Sequence, residues 1–334
     1  MRWEADLWGG LSHAQKRAAA TYEASVMDKR AMEMTLISEA ATAYFNLAAL
    51  QSELEIVKRT LLTRQEALGK TKLRFEGGMT SEIVYQQAKV ELATTSALVP
   101  NLERRITLAK NAITLLMGRY PGDVVDAAPL PLNEDLAEKL PVGVPSQLLE
   151  RRPDLRSSEL KLRSAMASVG VAYSDQFPKI TIGLTGGWEN DEVANLLKSP
   201  FSYIVGNIAG TIFDFGRNRR KYKASIAAYE QARLAYEKAV LTAFTEVDNA
   251  VAAHRKTREA VALRKELRNA ALKYVDLANK QYIGGTINYI DVLDAHRRYF
   301  DAQTTLTNAV RDEYLAIVAL YKALGGGCAI DGQR

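Results

Sequence analysis

The chain has few of the residues that build enzymes or metal sites. Of its 334 residues one is a cysteine, Cys328, and three are histidines, at positions 13, 254 and 296. A single cysteine excludes an internal disulfide, and scattered histidines do not indicate a zinc site or thiol catalysis. No nucleophile–base pair or phosphate-binding loop is present either. The sequence therefore predicts a protein that is not an enzyme and that has no cofactor and no bound metal.

Long apolar runs and strong charge are also missing. No stretch of 18 apolar residues occurs, which excludes a conventional transmembrane helix. The 44 Lys and Arg residues exceed the 39 Asp and Glu residues only slightly. Because no basic block alternates with aromatic residues, we expect no nucleic-acid partner.

Proline is confined to one part of the chain. All nine prolines lie between Pro100 and Pro200, so the flanking segments can form very long helices. Residues Ser12 to Phe75 are rich in strong helix formers, which predicts a helix of about 64 residues. A 3-4-3-4 spacing indicates a coiled-coil seam at Leu47, Leu50, Leu54, Val57 and Leu61.

The chain also repeats itself. A shift of 207 residues aligns two copies without a gap over about 110 positions, with Gly9 on Gly216 and Glu39 on Glu246. An inserted residue would rotate all later side chains of a helix by about 100°, so a gapless register indicates long helices. We expect two pseudo-symmetric halves.

A paired-glycine break follows each long helix. Gly77-Gly78 and Gly284-Gly285 suit the left-handed geometry of a helix C-terminus, and Ser81 and Asn288 are good N-caps for the next helix. The pattern predicts two helical hairpins with the glycines at their tips. Ordinary turn chemistry explains the glycines equally well, and only their repetition suggests a further role.

The middle of the chain has a period of two. Lys179–Trp188 alternates apolar with small or polar residues, and Phe201–Phe215 is predicted as a second strand. Long strands that end in aromatic residues fit an outer-membrane barrel, although a soluble hairpin is the alternative. Trp3–Trp8 precedes the first helix as Ile212–Phe215 precedes the second, which predicts the end of another strand.

Three groups of residues resemble the TolC-type outer membrane efflux family, closest to its NodT/OprM-like lipoprotein branch. The resemblance covers nearly the whole chain. The motifs are PSQLLERRPDLR at Pro145–Arg156 with AYSDQFP at Ala172–Pro178, IFDFGR at Ile212–Arg217 echoed by WEADLWG at Trp3–Gly9, and YIGGT at Tyr282–Thr286 followed by YIDVLDA at Tyr289–Ala295.

The resemblance implies a mainly α fold with a small β part. Long helical hairpins would form a trimeric α-barrel, and the strands would join a shared 12-stranded outer-membrane β-barrel. It implies the exit duct of a tripartite efflux pump in the outer membrane of a Gram-negative bacterium, extending into the periplasm. The implied partners are two further copies of the chain, outer-membrane lipid, a periplasmic adaptor and an inner-membrane transporter of the RND type.

The resemblance and the sequence patterns together divide the chain into seven segments. These are a residual β-barrel strand (1–9), a first helical-hairpin repeat (10–118), an equatorial linker (119–144), a helix leading to the barrel that starts at Pro145-Ser146-Gln147 (145–178), a β-barrel hairpin (179–215), a second helical-hairpin repeat (216–327) and a tail (328–334).

The candidate site residues lie at the tips. Asp291 and Asp294 share one helix face, and the resemblance assigns them, with Tyr282, to a periplasmic aperture that acts as a gate. We expect Tyr282 and Arg297 to hold these carboxylates, with a solvated helix face as the alternative. The adaptor-docking residues are predicted to be Gly77, Gly78, Ser81, Gly284, Gly285 and Asn288.

The chain departs from the family pattern at its start. A signal sequence, a lipid-bearing cysteine and a first strand with its helix are missing, so we expect an amino-terminally truncated chain. The rival function is a soluble periplasmic coiled-coil scaffold or an adaptor-like protein. Such proteins also have long hairpins, but they lack long amphipathic strands.

Overall fold

The computed structural model describes residues 2–122, 126–128, 130, 151–188, 200–210 and 214–326. Most of the predicted linker 119–144, the predicted helix start at Pro145-Ser146-Gln147 and the tail 328–334 lie outside these residues. In the described part of the chain, no helix is both long enough and apolar enough to cross a membrane. The elements are β1 (Arg2–Ala5), α1 (Gly10–Glu76), α2 (Glu82–Leu116), α3 (Pro153–Ser174), β2 (Lys179–Trp188), β3 (Pro200–Ala209), α4 (Arg217–Ile283) and α5 (Tyr289–Ala323).

The helix bounds confirm the internal repeat. Helices α1 and α4 both have 67 residues, and α2 and α5 both have 35. Each bound in the second copy lies 207 positions after its counterpart in the first. Left-handed glycines recur at the same spacing, with φ of +71°, +70° and +68° at Gly9, Gly78 and Gly118 and of +75°, +74° and +93° at Gly216, Gly285 and Gly325.

The chain divides into two compact units. The first contains Met1–Met32, Pro145–Phe244 and Cys328–Arg334, and the second contains Glu33–Val144 and Thr245–Gly327. Helices α1 and α4 each contribute residues to both units. The strands and α3 belong to the first unit, and both glycine turns belong to the second.

The strands of the first unit form one antiparallel sheet in the order β1-β2-β3. Strand β2 has the predicted bounds, and all ten of its residues pair with β3. The pairs Ile180↔Ile208 and Leu184↔Ile204 place apolar side chains of both strands on one face. Trp3 joins that face because it pairs with Ile182.

The third strand ends earlier than predicted. It stops at Ala209 instead of Phe215, and Asp214 begins a turn before α4. The Asp214 carboxylate accepts hydrogen bonds from the backbone N–H groups of Gly216 and Asn218, both at 2.9 Å. These bonds, chiefly that of Asn218, lower the pKa of Asp214. Asp214 therefore caps the first turn of α4 and is not part of the strand.

Helix α3 also differs from the prediction, which placed residues 150–156 inside one continuous helix. Its N-cap is Arg152, which is extended at φ −77° and ψ 115°, and Pro153 is the first helical residue. Proline disfavours a helical residue before it and suits the first helical position. The Arg152 guanidinium is buried and binds Asp154 through Nη2 at 2.7 Å.

The second unit has a core along its helices. Leu47 and Val57 of the predicted seam are buried, and Leu50 and Leu54 are half-buried. In the second copy Ala250 of α4 packs with the α5 residues Leu320 and Ala323. The largest cluster comprises Leu47, Ala48, Ala49, Ile106, Ile113, Ala127, Leu130, Val261, Leu306 and Val310.

Candidate functional site

Both glycine turns end their helices with the same pair of hydrogen bonds. In the first turn, Gly78 N–H donates to Phe75 O (2.9 Å) and Met79 N–H donates to Arg74 O (2.8 Å). In the second, Gly285 N–H donates to Tyr282 O (3.1 Å) and Thr286 N–H donates to Gln281 O (3.0 Å). This is the Schellman motif, which requires one left-handed residue.

Only the second glycine of each pair is left-handed. Gly78 and Gly285 have φ of +70° and +74°, whereas Gly77 and Gly284 do not have a positive φ. The sequence pattern did not distinguish the two members of a pair. The two glycines of a tip therefore have different roles, because a side chain is strained at the second position only.

The predicted N-caps behave differently in the two hairpins. Ser81 has extended φ and ψ before α2, but its hydroxyl makes no capping hydrogen bond. At the second tip the Asp291 carboxylate accepts a hydrogen bond from the backbone N–H of Asn288 at 3.0 Å. Asp291 therefore closes the first turn of α5, and its charge also lies favourably near the positive end of the helix dipole.

Asp291 and Asp294 both line a groove between the first turns of α2 and α5. This agrees with the prediction that the two residues share one face of the helix. Their expected partners are engaged elsewhere. Asp294 pairs with Arg298 Nε at 2.7 Å, a contact between residues four apart on one helix. Tyr282 lies below the Arg74 guanidinium, with 5.6 Å from its ring centroid to the guanidinium carbon.

Arg297 is part of a network that the sequence did not predict. Its Nη2 donates to one oxygen of Glu91 at 2.7 Å, and Arg64 Nη1 lies 2.9 Å from the other oxygen. Arg64 Nη1 also donates to Glu91 O (2.7 Å) and to the Thr95 hydroxyl. One carboxylate of α2 thus joins α1 to α5, which belong to different hairpins.

Two of the three charged side chains in this network are largely buried. The side chains of Arg64 and Glu91 are only 14% and 13% exposed, whereas that of Arg297 is 57% exposed. Burial lowers the pKa of the Arg64 guanidinium, and Glu91 opposes that shift. One signal could have revealed the network. The repeat places Ala271 at the position of Arg64 and Ala302 at that of Thr95, so the first copy departs from its partner at buried positions.

Two further titratable groups lie beside the network. Burial lowers the pKa of His296, and the nearby Arg64 charge acts in the same direction. Burial raises the pKa of Tyr289, partly opposed by its hydrogen bond with Thr71. Both residues are therefore neutral near pH 7. Among the described residues, no group of three or more His, Cys, Asp or Glu side chains could hold a metal ion.

Comparison with known proteins identifies the family. The family model described as "Outer membrane efflux protein" matches residues 1–119 and 144–326. The chain belongs to the outer membrane efflux protein family. It is similar to the solvent efflux pump outer membrane protein SrpC of Pseudomonas putida, with 32% identity over 332 residues that cover 98% of this chain and 70% of SrpC.

Solved structures of the family have the same fold. The outer-membrane channel OprN matches with a TM-score of 0.89 and 29% identity over 98% of this chain and 74% of OprN. The open state of the Neisseria gonorrhoeae MtrE outer membrane channel matches with a TM-score of 0.87 and 29% identity over 100% of this chain and 75% of MtrE. These matches confirm the predicted TolC-like fold class, the efflux-channel function and the location in the outer membrane of a Gram-negative bacterium. The chain belongs to a family of channel proteins.

Proposed function

We propose that three copies of the chain form the exit duct of a tripartite efflux pump. The duct conducts passively what an inner-membrane transporter of the RND type delivers through a periplasmic adaptor. Its location in the outer membrane and its efflux family are established by the comparisons, whereas the trimer, the partners and the roles of single residues are parts of this proposal.

The exposed apolar face of the sheet carries the proposal. Isolated exposed apolar residues are common, but a continuous apolar sheet face indicates contact with a partner or with lipid. An outer-membrane strand alternates lipid-facing with lumen-facing side chains, and β2 alternates apolar residues with small or polar ones. The exposed side chains of this face are Trp3 (62%), Ile182 (41%), Leu184 (49%), Ile204 (75%) and Ile208 (74%).

The open edges of the sheet support an assembly of several copies. In the described residues β1 and β3 are edge strands, and an unpaired edge cannot remain in lipid because its backbone groups lack hydrogen-bond partners. Symmetric copies can close the sheet by pairing edge to edge. The same symmetry would bring three copies of each hairpin tip together.

The tips suit the two remaining roles. We assign adaptor docking to the two turns, Gly77-Gly78 with Ser81 and Gly284-Gly285 with Asn288, because they repeat one rigid geometry twice in each chain. We assign the gate to Asp291, Asp294 and Tyr282. Threefold symmetry would make the two carboxylates into acidic rings, which favour cations. Because Arg298 partly neutralises Asp294, the Asp291 ring would contribute most of the negative electrostatic potential at the aperture.

The test uses the whole natural protein. We expect a trimeric mass by native mass spectrometry in mild detergent and cation-selective single-channel conductance in a planar bilayer. Replacing Asp291→Asn and Asp294→Asn together should reduce the cation selectivity and the block by multivalent metal ions, because asparagine can keep the capping bond without the charge. Asp312→Asn is the matched control, since this exposed carboxylate lies in α5 away from the tip and pairs with Arg311.

Two outcomes would contradict the proposal. A monomer without conductance would favour the soluble scaffold or adaptor-like alternative. A conducting trimer whose selectivity is the same in the double variant and in the wild type would place the aperture at other residues.

A further inference from the structure

A cavity opens between the two hairpins of one chain, and Tyr282, one of the residues assigned to the gate, lies in its lining. We call it the inter-hairpin groove. It has a volume of about 740 Å³ and is lined by residues of α1, α2, α4 and α5, all in the second unit. That volume is typical of sites for small organic molecules. Its neighbour is the α2–α5 groove that contains Asp291 and Asp294, and Glu91 and Leu293 line both cavities.

The floor of the groove is apolar. Ala88 and Val292 are buried, and Ala67 and Leu293 are half-buried beside them. Tyr289 of α5 also lines the groove, and its side chain forms a hydrogen bond with Thr71 of α1. Small and branched apolar side chains next to an aromatic ring can bury the apolar body of a ligand.

The lining has an excess of positive charge. Arg64, Lys70 and Arg74 face two carboxylates, Glu66 and Glu91, among the described residues that line the groove. Glu91 is already bound by Arg64 and by Arg297. Glu66 is therefore the one remaining carboxylate of the lining for Lys70 and Arg74, and the Arg74 guanidinium also lies over the Tyr282 ring, so the two cations exceed the carboxylate by one charge.

The Arg64 guanidinium adds hydrogen-bond donors to this excess charge. All of its described hydrogen bonds use Nη1, and its guanidinium carbon lies 5.9 Å from the centroid of the Phe300 ring, so Nη2 and Nε are the donors that remain. A guanidinium binds a carboxylate through two parallel N–H donors. His296 also lines the groove, but it is neutral near pH 7 because burial lowers its pKa.

We propose that the inter-hairpin groove binds a small amphipathic anion, such as an aromatic carboxylate. The carboxylate contacts Lys70, Arg74 and the free donors of Arg64, and the ring covers Ala67, Val292 and Leu293. The excess positive charge would repel a metal cation, and a neutral molecule would gain no electrostatic attraction from it. The site goes beyond the proposed duct, because binding here requires neither the adaptor nor conduction.

The experiment measures binding of 4-iodobenzoate to the whole natural protein in detergent by isothermal titration calorimetry. Titration into protein-free detergent corrects for partitioning into micelles. For a ligand of this size we expect a Kd of about 0.1–1 mM. The neutral isostere 4-iodobenzamide should bind at least about tenfold more weakly, because it lacks the charge that the groove complements. Anomalous scattering from iodine in soaked crystals should place the ring over Ala67.

Three variants connect binding to this groove. Lys70→Gln with Arg74→Gln should weaken 4-iodobenzoate binding about tenfold, since two exposed charge contacts are lost. Lys72→Gln removes one positive charge from α1, two residues from each of these positions and outside the lining, and should leave the Kd unchanged. Ala67→Leu keeps all the charges but fills the floor, and it should abolish binding while the helix tolerates leucine.

Each contrary result is decisive. Equal Kd values for the acid and the amide would show that the charge plays no part. Equal losses in the Lys70/Arg74 and Lys72 variants would show a general electrostatic effect. Iodine located elsewhere, or no binding to the wild type, would overturn the proposal. A conducting trimer that does not bind iodobenzoate would refute the proposed binding site and leave the proposed duct standing. A protein that binds iodobenzoate in the groove but forms no conducting trimer would refute only the duct.

Discussion

One glycine in each tip is constrained by backbone geometry, and its neighbour is not. Gly285 has φ +74°, so any L side chain there is strained although the surrounding space is open. At Gly284 a Cβ would meet backbone oxygens of Lys280 and Gln281 at 3.5 Å, which is ordinary contact. The first hairpin is tighter, because a Cβ at Gly77 would lie 3.3 Å from Leu73 O. The second tip therefore gives the cleaner comparison.

We predict that Gly285→Ala destabilises the second tip by about 1–2 kcal/mol, the cost of a left-handed L residue. Gly284→Ala, its matched control, should be nearly neutral. Hydrogen exchange followed by mass spectrometry over peptides spanning 276–292 should show faster exchange in the first variant only. Asparagine tolerates the left-handed region better, so Gly285→Asn should recover part of the protection. Equal exchange in both alanine variants would mean that the turn does not keep this geometry in solution.

At the scale of helices, the two hairpins have different interiors although they share one backbone plan. The second hairpin packs Val275, Ala278, Val292 and Ala295 together near its tip. The first hairpin has the Arg64–Glu91 ion pair and Thr95 in its interior. In the second copy, alanines occupy the positions equivalent to Arg64 and Thr95. A buried ion pair is weak evidence for stability, because desolvation offsets its attraction. Removing one partner is costly, since a buried charge remains alone.

We therefore predict that a single substitution harms the first hairpin more than a double one. Glu91→Ala should destabilise it by about 3 kcal/mol, because Arg64 stays buried without a carboxylate. Arg64→Ala together with Glu91→Ala should cost less than Glu91→Ala alone. Hydrogen exchange of peptides within 58–76 and 82–100 measures the destabilisation of the first hairpin in the single and in the double variant. If the loss of stability in the double variant equals the sum of the losses in the two single variants, the two residues are not coupled.

The matched control for that series is Arg297→Gln. This side chain is 57% exposed, so solvent screens its contact with Glu91 and its loss should cost well under about 1 kcal/mol. Protection of the first hairpin should stay close to that of the wild type. A loss as large as that of Glu91→Ala would mean that the bond between hairpins, and not the pair inside one hairpin, determines stability.

Periodicity predicted the helices and strands well, since it depends only on neighbouring residues. The alternation of Lys179–Trp188 predicted the bounds of β2, and the gapless repeat predicted two equivalent hairpins. It did not predict the partner of Asp294 or the contact of Arg297 with Glu91. Arg298 and Arg297 are both within reach of Asp294 in sequence, and only packing against α2 decides which turns towards Glu91. Contacts between helices more than 200 residues apart cannot be predicted from local spacing.

At the scale of the whole molecule, the sheet determines whether the protein enters a membrane. Ile208 and Asn207 are adjacent in β3, both exposed, and paired with Ile180 and Thr181 of β2. Their side chains point to opposite faces because successive residues of a strand alternate. Ile208 lies on the face with Ile180 and Ile204, and Asn207 lies on the face with Thr181. The two positions therefore test which face meets lipid at the same depth.

We predict that Ile208→Arg disfavours insertion by up to about 2–4 kcal/mol, the cost of arginine facing lipid near the middle of the bilayer. Asn207→Arg introduces the same charge one residue away, on the face that the proposed trimer turns towards water, and should insert normally. The measurement is the fraction of whole natural protein recovered in outer-membrane vesicles as protease-resistant trimer. Because Asn207→Arg adds a cation to the lumen, its single-channel cation selectivity should also fall, whereas any Ile208→Arg protein that inserts should keep the selectivity of the wild type. Equal insertion of both variants would show that the apolar face does not meet lipid, and the sheet would then have to be covered by protein instead.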